Sequence, residues 1–427
     1  MPRRALILIE GASNGPGYVR AAEHLDLHPI VLSADPSQYE YLSAEGIEAI
    51  QVDTDNLEAL IRECFRIGAI WDIAGITTSY EAFCAIVGKL CLRFGLPGPN
   101  PVSIEQCCDK FTQRQRLANA GVPIPAYRLA ANATDVESSA AEIGLPVVLK
   151  PATGSGSVGV RLCRNSDELA EHTTYLLSGE HIWRSSPRVL VEEFAQGPYY
   201  CAYTMENEVI GISAADSGPP PHFVFRECTL PAPLTDDEHE RIVEVSLQSL
   251  RALGLGWGPT GIELRWTKRG PVIIEVNPRL AAAPDPQLIE LACGVDLITE
   301  HIKLTIGHAC DLRRKHSHAA AERFLIADRD GTLAWIDGDR RAAAVQGVAA
   351  VKFHVKPEAP IVMKGDYRDC MGYVVASSPS RAQTQAILER AADLITWSIK
   401  PFSILDDQGQ SAAPRIRTKQ TLSDGSD

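Results

Sequence analysis

The segment TGIELRWTKRGPVIIEVNPRL, residues 260–280, reads as two short strands joined by a turn at Lys268–Gly270. Alternate residues of a strand share a face. Ile262, Leu264 and Trp266 then point to a core, and Glu263 and Arg265 point the other way. On the return strand Val272, Ile274 and Val276 alternate with Glu275, Asn277 and Arg279. With the turn in that place, Glu263 and Glu275 lie opposite one another or nearly so. Like charges across a ladder are destabilising, and a cation between them removes the conflict. Two carboxylates and an amide oxygen are hard ligands suited to Mg2+, which also binds substrate phosphates. Arg279, one step further along, carries a planar fork for a phosphate or carboxylate. The plainer reading is a solvated hairpin with a charged outer face.

A second stretch, VVLKPATGSGSVGV at 147–160, places Lys150 at the end of an apolar strand and a Gly/Ser run after it. In a Walker loop the lysine follows the glycines. A third, GASNGPGY at 11–18, also follows a strand. It departs from G-x-G-x-x-G, and the next strand ends in Ser33-Ala34-Asp35 without a clearly placed acidic residue. A nicotinamide-dependent oxidoreductase is thus a weak rival.

The elements that must carry these residues follow from periodicity and breakers. Ala5–Ile9 reads as a buried strand, Val19–Leu27 as a helix and HPIVLSAD as a second buried strand, a β-α-β opening. A helix at Asn56–Ile67, a strand at Trp71–Thr77 and a helix from Tyr80 to Phe94 follow, closed by GLPGPNP. Ser103–Ala120 reads as one helix, with Ser103 and Gln106 at capping-box spacing and Gly121 and Pro123 as the stop. RVLVEEF is a strand, and Tyr199–Met205 with Glu208–Ser213 a hairpin. Gly218–Pro233 reads as a Pro-rich loop and Asp236–Leu253 as a long amphipathic helix. Short strands and one helix fill 322–400.

The 427 residues suffice for several packed units, and the apolar and charged fractions, 45% and 22%, are those of a globular protein. A formal net charge of −13 argues against nucleic acid and anionic membranes as partners. No apolar run is long enough to span a bilayer, and the N-terminus lacks signal-peptide shape. Eleven cysteines without a CxxC pair suggest free thiols in a cytoplasmic setting. His316 and His318 read as a solvated loop pair.

Taken in order, these stretches resemble the ATP-grasp superfamily of carboxylate–amine ligases, from about residue 5 to residue 400. DKFTQRQRLANAGVPIP is similar to its entry helix, with Lys110 reaching the ATP phosphates and Arg114 one turn on. VVLKP resembles the second lysine motif, with Lys150 on the α-phosphate. GSGSVGV (Gly154, Ser155, Gly156, Ser157, Val158) resembles the mobile loop over the β- and γ-phosphates. VEEF resembles the adenine hinge, with Glu192 near the exocyclic amine and Glu193 and Phe194 offering backbone groups. IELRW and IIEVNPR resemble the metal pair, with Glu263, Glu275 and Asn277 as ligands and Arg279 on the reacting group. Two departures stand out. GPYY places Tyr199 where relatives carry a ribose-holding Glu, and NPRLAAAPD replaces a Gly-rich run.

The resemblance implies an α/β ATP-grasp fold with an α+β lid. Its expected units are a Rossmann-like domain at 1–108, an ATP-grasp core at 109–320 with a lid at about 125–195, a C-terminal subdomain at 321–402, and an unstructured tail at 403–427. It implies ATP and two Mg2+ ions, with Mn2+ able to substitute. Within the superfamily the amino-acid ligases that make dipeptides or dipeptide-like amides are the most similar. ITTSYE with Glu81 and HFVFRECTLPAPL with Glu227 supply candidates for handling a substrate amino group or the incoming amine. The expected partners are small amino-acid substrates, with a homodimer left open. The sequence identifies no general base. Two further rivals are a ligase or carboxylase for a non-amino-acid carboxylate, and a non-catalytic ATP-binding regulator.

Overall fold

The computed structural model describes residues 4–178 and 188–402; the expected tail at 403–427 lies outside the described residues. The first sheet is parallel, in the order Glu48–Gln51, His28–Ser33, Arg4–Ile9, Asp72–Thr77. Its central strands are apolar on both faces because both are covered. Ala5, Ile7 and Ile9 pack on Leu60, Cys64, Val87 and Leu90, while Leu6 and Leu8 pack on Tyr18, Val19 and Ala22.

The first helix begins at Gly15, inside the glycine cluster, rather than at Val19. Pro16 occupies the first helical turn, where a missing N–H costs nothing. The glycines here are small for packing. A Cβ on Gly17 would stand 2.7 Å from Ile298 Cδ1, and one on Gly15 would stand 2.6 Å from the Tyr41 hydroxyl.

The expected helix over 103–120 is two helices, Pro101–Cys108 and Lys110–Asn119, broken at Asp109. Asn100, not Ser103, caps the first, accepting from the amides of Val102 and Ser103. Asp109 leaves the helical region and caps the second, accepting from Thr112 N–H at 2.7 Å. A capping box read from spacing lost to two better caps.

A second, antiparallel sheet runs Tyr127–Ala130, Val189–Glu193, Val147–Pro151, Arg161–Cys163. The helices Ala133–Ile143 and Ser166–Leu177 bury Val136, Ala140, Leu169 and Leu176 against it. The largest sheet has eight antiparallel strands, in the order Gly270–Asn277, Pro259–Thr267, Tyr199–Met205, Glu208–Asp216, Glu227–Leu230, Ala319–Ile326, Cys370–Ser378, Val348–Phe353. The long helix Asp236–Leu253 closes one face of it with Ile242, Val245 and Leu250. Its start is a complete capping box of Thr235 and Glu238. A three-stranded sheet of Pro360–Ile361, Gly331–Asp337 and Thr396–Lys400 completes the chain.

Glu227–Leu230, read from sequence as part of a Pro-rich loop, is a strand inside the eight-stranded sheet. It joins Glu208–Asp216 to Ala319–Ile326. In the carboxylate hairpin, Glu263 pairs opposite Glu275 as expected. Beyond that pair the register shifts, since Leu264 faces Ile273. The bulge residue is Ile274, so Ile273 goes to the core and Ile274 lines the cleft, reversing the simple alternation.

Candidate active site

A cleft with about 940 Å³ of empty space, open mouth included, lies between the second sheet and the eight-stranded sheet. One end of it is a set of buried ion pairs. Lys150, one residue before the end of its strand, has Nζ 2.5 Å from Glu192 Oε2, and Arg114 Nε reaches Glu192 Oε1 at 2.6 Å. Arg114 also donates to the carbonyl of Ile274, the bulge residue. The bulge thus supplies a carbonyl that a regular ladder would have spent on a strand. Glu192 therefore lies between two cations. Burial alone would raise its pKa, but Arg114 and Lys150 hold it below the usual carboxylate range. Burial lowers the Lys150 pKa even with Glu192 beside it.

Lys110 opens the helix after the Asp109 break. Its Nζ reaches Glu275 Oε1 at 2.6 Å and donates to the carbonyl of Gly154. Burial opposes its charge, but Glu275 and Glu81 raise its pKa. Asp109, besides capping, receives Arg188 Nη1 at 2.6 Å, which ties the helix to the second sheet.

The glycine loop follows Lys150. Gly156 has φ +68, and the Tyr367 ring stands 2.5 Å from where its Cβ would be. Ser157 Oγ donates to the Phe223 carbonyl at 3.2 Å, and Tyr367 N–H donates to the Gly156 carbonyl at 3.2 Å. The loop is thus held from outside by two segments distant in sequence.

Across the cleft, Glu263 accepts from the Tyr199 hydroxyl and from Asn277 Nδ2, the latter at 3.1 Å. Burial and the facing Glu275 charge push Glu263 up to about 7. Glu275 is held below its ordinary value: burial would raise it, but Lys110 and Lys150 outweigh that. The two carboxylates and Asn277 fit a divalent cation, which would relieve the repulsion that raises Glu263. Tyr199, expected where a ribose-holding Glu would stand, has its hydroxyl on Glu263. Arg279 Nε donates to Glu81 Oε2 at 2.9 Å, so Glu81 stands behind Arg279.

Lys110, Lys150, Gly154 to Val158, Glu192 to Phe194, Tyr199, Glu263, Glu275, Asn277 and Arg279 all line the one cleft. Three of the expected residues have partners that the sequence did not show. Glu192, expected near the adenine amine, lies between Lys150 and Arg114. Glu193 lines the cleft with its amide on the Ala126 carbonyl and its carboxylate on Arg269, at 2.8 Å each. Glu227 pairs with Arg323 at 2.7 Å and is not among the lining residues.

Sequence reading missed Arg265. It donates to the Gly197 carbonyl and Ser217 Oγ at 2.9 Å each, and lies within 6 Å of the Phe194, Tyr199 and Phe223 rings. Its place beside Glu263 on one strand face was visible. Phe223 and Phe225, in an irregular segment, carried no signal. The His316 and His318 rings lie 4.5 Å apart, tilted by 35°, and among the described residues no group of three or more His, Cys, Asp or Glu forms a metal cluster.

Comparison with known proteins gives the class and the family. The carbamoyl-phosphate synthase L chain ATP-binding domain matches residues 109–313, and L-amino acid ligase C-terminal domain 2 matches 323–400. The chain is 62% identical over 409 residues to "Uncharacterized protein y4rH" of Sinorhizobium fredii (strain NBRC 101917 / NGR234), covering 96% of this chain and 86% of that one. It is 28% identical over 262 residues to alanine–anticapsin ligase of Bacillus amyloliquefaciens, covering 56% of this chain and 55% of that protein. The chain thus spans only about half of that relative. The fold superposes on L-amino acid ligase from Bacillus licheniformis with a TM-score of 0.79 at 19% identity, covering 94% of this chain and 100% of that one. The chain belongs to the ATP-grasp carboxylate–amine ligases, ATP-dependent enzymes whose family uses ATP with Mg2+. Among the described residues no helix is long and apolar enough to cross a membrane.

Proposed function

We propose that the protein joins the carboxylate of an amino acid, or of a close analogue, to the amino group of a second amino acid. The reaction runs through an acyl phosphate and releases ADP and phosphate. The observation that carries this reading is the convergence of Lys110, Lys150, the glycine loop, the Glu263/Glu275 pair and Arg279 on one cleft. The match of the C-terminal unit to an L-amino acid ligase domain supports amino acids as the substrate class.

A carboxylate is a poor electrophile until an oxygen is converted to a leaving group. The carboxylate oxygen attacks the γ-phosphorus of ATP and ADP departs. The amine nitrogen then attacks the acyl carbon, and phosphate leaves with the C–O bonding pair and takes up the proton that the nitrogen loses. Lys110 and Lys150 neutralise and align the phosphates, so their work is electrostatic and positional. Both are pre-oriented by buried carboxylates, Glu275 and Glu192. Glu263, Glu275 and Asn277 would hold Mg2+, as two ions in the fullest form and with Mn2+ able to substitute; when bound it would neutralise phosphate charge. Arg279, fixed by Glu81, stabilises the oxyanion formed on amine attack. The glycine loop covers the phosphates and excludes water that would hydrolyse the acyl phosphate. Glu227, paired with Arg323, is left without a role in the chemistry.

The test is product analysis with ATP, Mg2+ and amino-acid pairs. ADP and phosphate are expected in equal amounts with the coupled amide. AMP and pyrophosphate would rule out the acyl-phosphate route, and no ADP with any carboxylate would return the chain to a non-catalytic ATP-binding role.

A further inference from the structure

Among the described residues, the cations that line the cleft are Lys110, Lys150, Arg265 and Arg279. Three of them are matched to a carboxylate: Lys110 to Glu275, Lys150 to Glu192 and Arg279 to Glu81. Arg265 has no ion-pair partner among the described residues. Its Nη1 donates to the Gly197 carbonyl and its Nη2 to Ser217 Oγ. A guanidinium has five N–H donors, and the others find no acceptor among the described residues. Nε is one of these, and it is not among the buried atoms left without a partner, so it opens to the cleft. Burial lowers the Arg265 pKa and no carboxylate offsets that. A half-buried charge with open donors is costly unless a ligand takes them up.

Arg265 borders two chemically different parts of the cleft. It follows Glu263 by two residues on one strand face, about 7 Å along the strand, and pairs opposite Tyr199. Tyr199 spans the step, with its hydroxyl on Glu263 and its ring 5.1 Å from the Arg265 guanidinium. On its other side the guanidinium lies 5.7 Å from each of the Phe194 and Phe223 rings. Lys110, Lys150, the carboxylate pair and the glycine loop suit phosphates and a metal ion, whereas Phe194, Phe223 and Phe225 suit a flat ring. In ATP the ribose joins the triphosphate to the base. A side chain that touches both parts of the cleft meets the sugar, whose hydroxyl oxygens accept from N–H donors. The Tyr199 hydroxyl already gives its proton to Glu263, which leaves Arg265 as the open donor at this place.

We propose that Arg265 holds the ribose of ATP, donating N–H to a sugar hydroxyl oxygen, and so sets the preference for a ribonucleotide. This rests on the cleft as the nucleotide site, as the ligase reading does, and not on amino acids as substrates. The competing role is a purely structural tie between Gly197 and Ser217. Calorimetric binding of MgADP and of the magnesium salts of 2′-deoxyADP and 3′-deoxyADP separates the two. It is run on the wild type, on Arg265→Met, which removes every donor, and on Arg265→Gln, which keeps a polar end for Ser217. The wild type should bind MgADP tenfold or more tightly than at least one deoxynucleotide, the scale of one hydrogen bond to a charged donor. The variants should bind MgADP tenfold or more weakly and bind that deoxynucleotide within threefold of MgADP, because protein and ligand changes remove the same contact. A structural tie would weaken all three nucleotides alike and keep their ratios. Wild-type affinities within twofold of one another overturn the proposal. A folded variant that keeps the wild-type ratio overturns it, as does failure of both variants to fold, which would make Arg265 a residue of the fold. A folded wild type that binds no MgADP ends this proposal and the ligase reading together; amide formation with equal binding of the three nucleotides ends this proposal and leaves that reading standing.

Discussion

GASNGPGY and TGSGSVGV are both glycine-rich turns that follow a buried strand, yet the molecule uses them for different ends. In the first, the free volume of glycine is spent on packing: Gly15 lies against Tyr41 and Gly17 against Ile298. Its polar groups are spent inside the protein as well. Asn14 Nδ2 donates to the Ala281 carbonyl at 2.8 Å, and Ser13 Oγ accepts from the Ala283 amide at 3.1 Å. The first loop is therefore a brace for the segment after Arg279. In the second, Gly154, Gly156 and Ser157 all have positive φ, and the loop borders a cleft. Glycine content alone does not distinguish the two. The lysine ahead of the second loop does, since Lys150 and Lys110 bring charge to the place where the backbone turns.

The largest expected effect comes from removing that charge. Lys150→Met should lower turnover by roughly 10²–10³-fold, the scale of losing one preorganised electrostatic contact. Glu192 would keep Arg114, so the variant should remain folded, as circular dichroism can check. Turnover within tenfold of the wild type would make the two loops equivalent again. Next comes Gly156→Val. It forces a β-branched residue to φ +68 and into the Tyr367 ring. The kcat/KM for ATP should fall by about tenfold or more through a rise in KM, on the reasoning that loop misplacement spoils alignment. An unchanged KM would mean that the loop takes no part in nucleotide binding.

Much of this site was legible because it depends on short-range rules. A period of two was enough to set Glu263 against Glu275. The order of the motifs alone groups Lys110, Lys150 and Arg279, and all three line one cleft. The failures share a physical cause: each depended on a distant partner or an inserted residue. Asp109 breaks the 101–119 region because it also serves Arg188, 79 residues away. The bulge at Ile274 adds one residue to a strand, which periodicity cannot register. Glu227–Leu230 is four residues long and followed by prolines, and it is a strand only because Ala319–Ile326 reaches it from across the chain. The second cation on Glu192, Arg114, was hidden for the same reason, since it comes from a helix 78 residues earlier.

The smallest effect tests the packing side of the comparison. Gly17→Ala adds one methyl, which would meet Ile298 Cδ1 at 2.7 Å. The contact is the end of a flexible side chain, so the strain can be shared with the helix Leu297–Thr305. Small-to-large changes in packed sites cost about 1–3 kcal/mol. Alanine also has better helix propensity than glycine, by about 1 kcal/mol, and Gly17 lies within the helix Gly15–His24. The two terms oppose each other, so a net loss of about 0–2 kcal/mol is expected. Denaturant melts of wild type and variant measure it. The KM for ATP should stay unchanged, because the first loop contributes no group to the cleft lining. A rise in that KM without loss of stability would mean that the first glycine loop also serves the nucleotide, and the division between the two loops would fail.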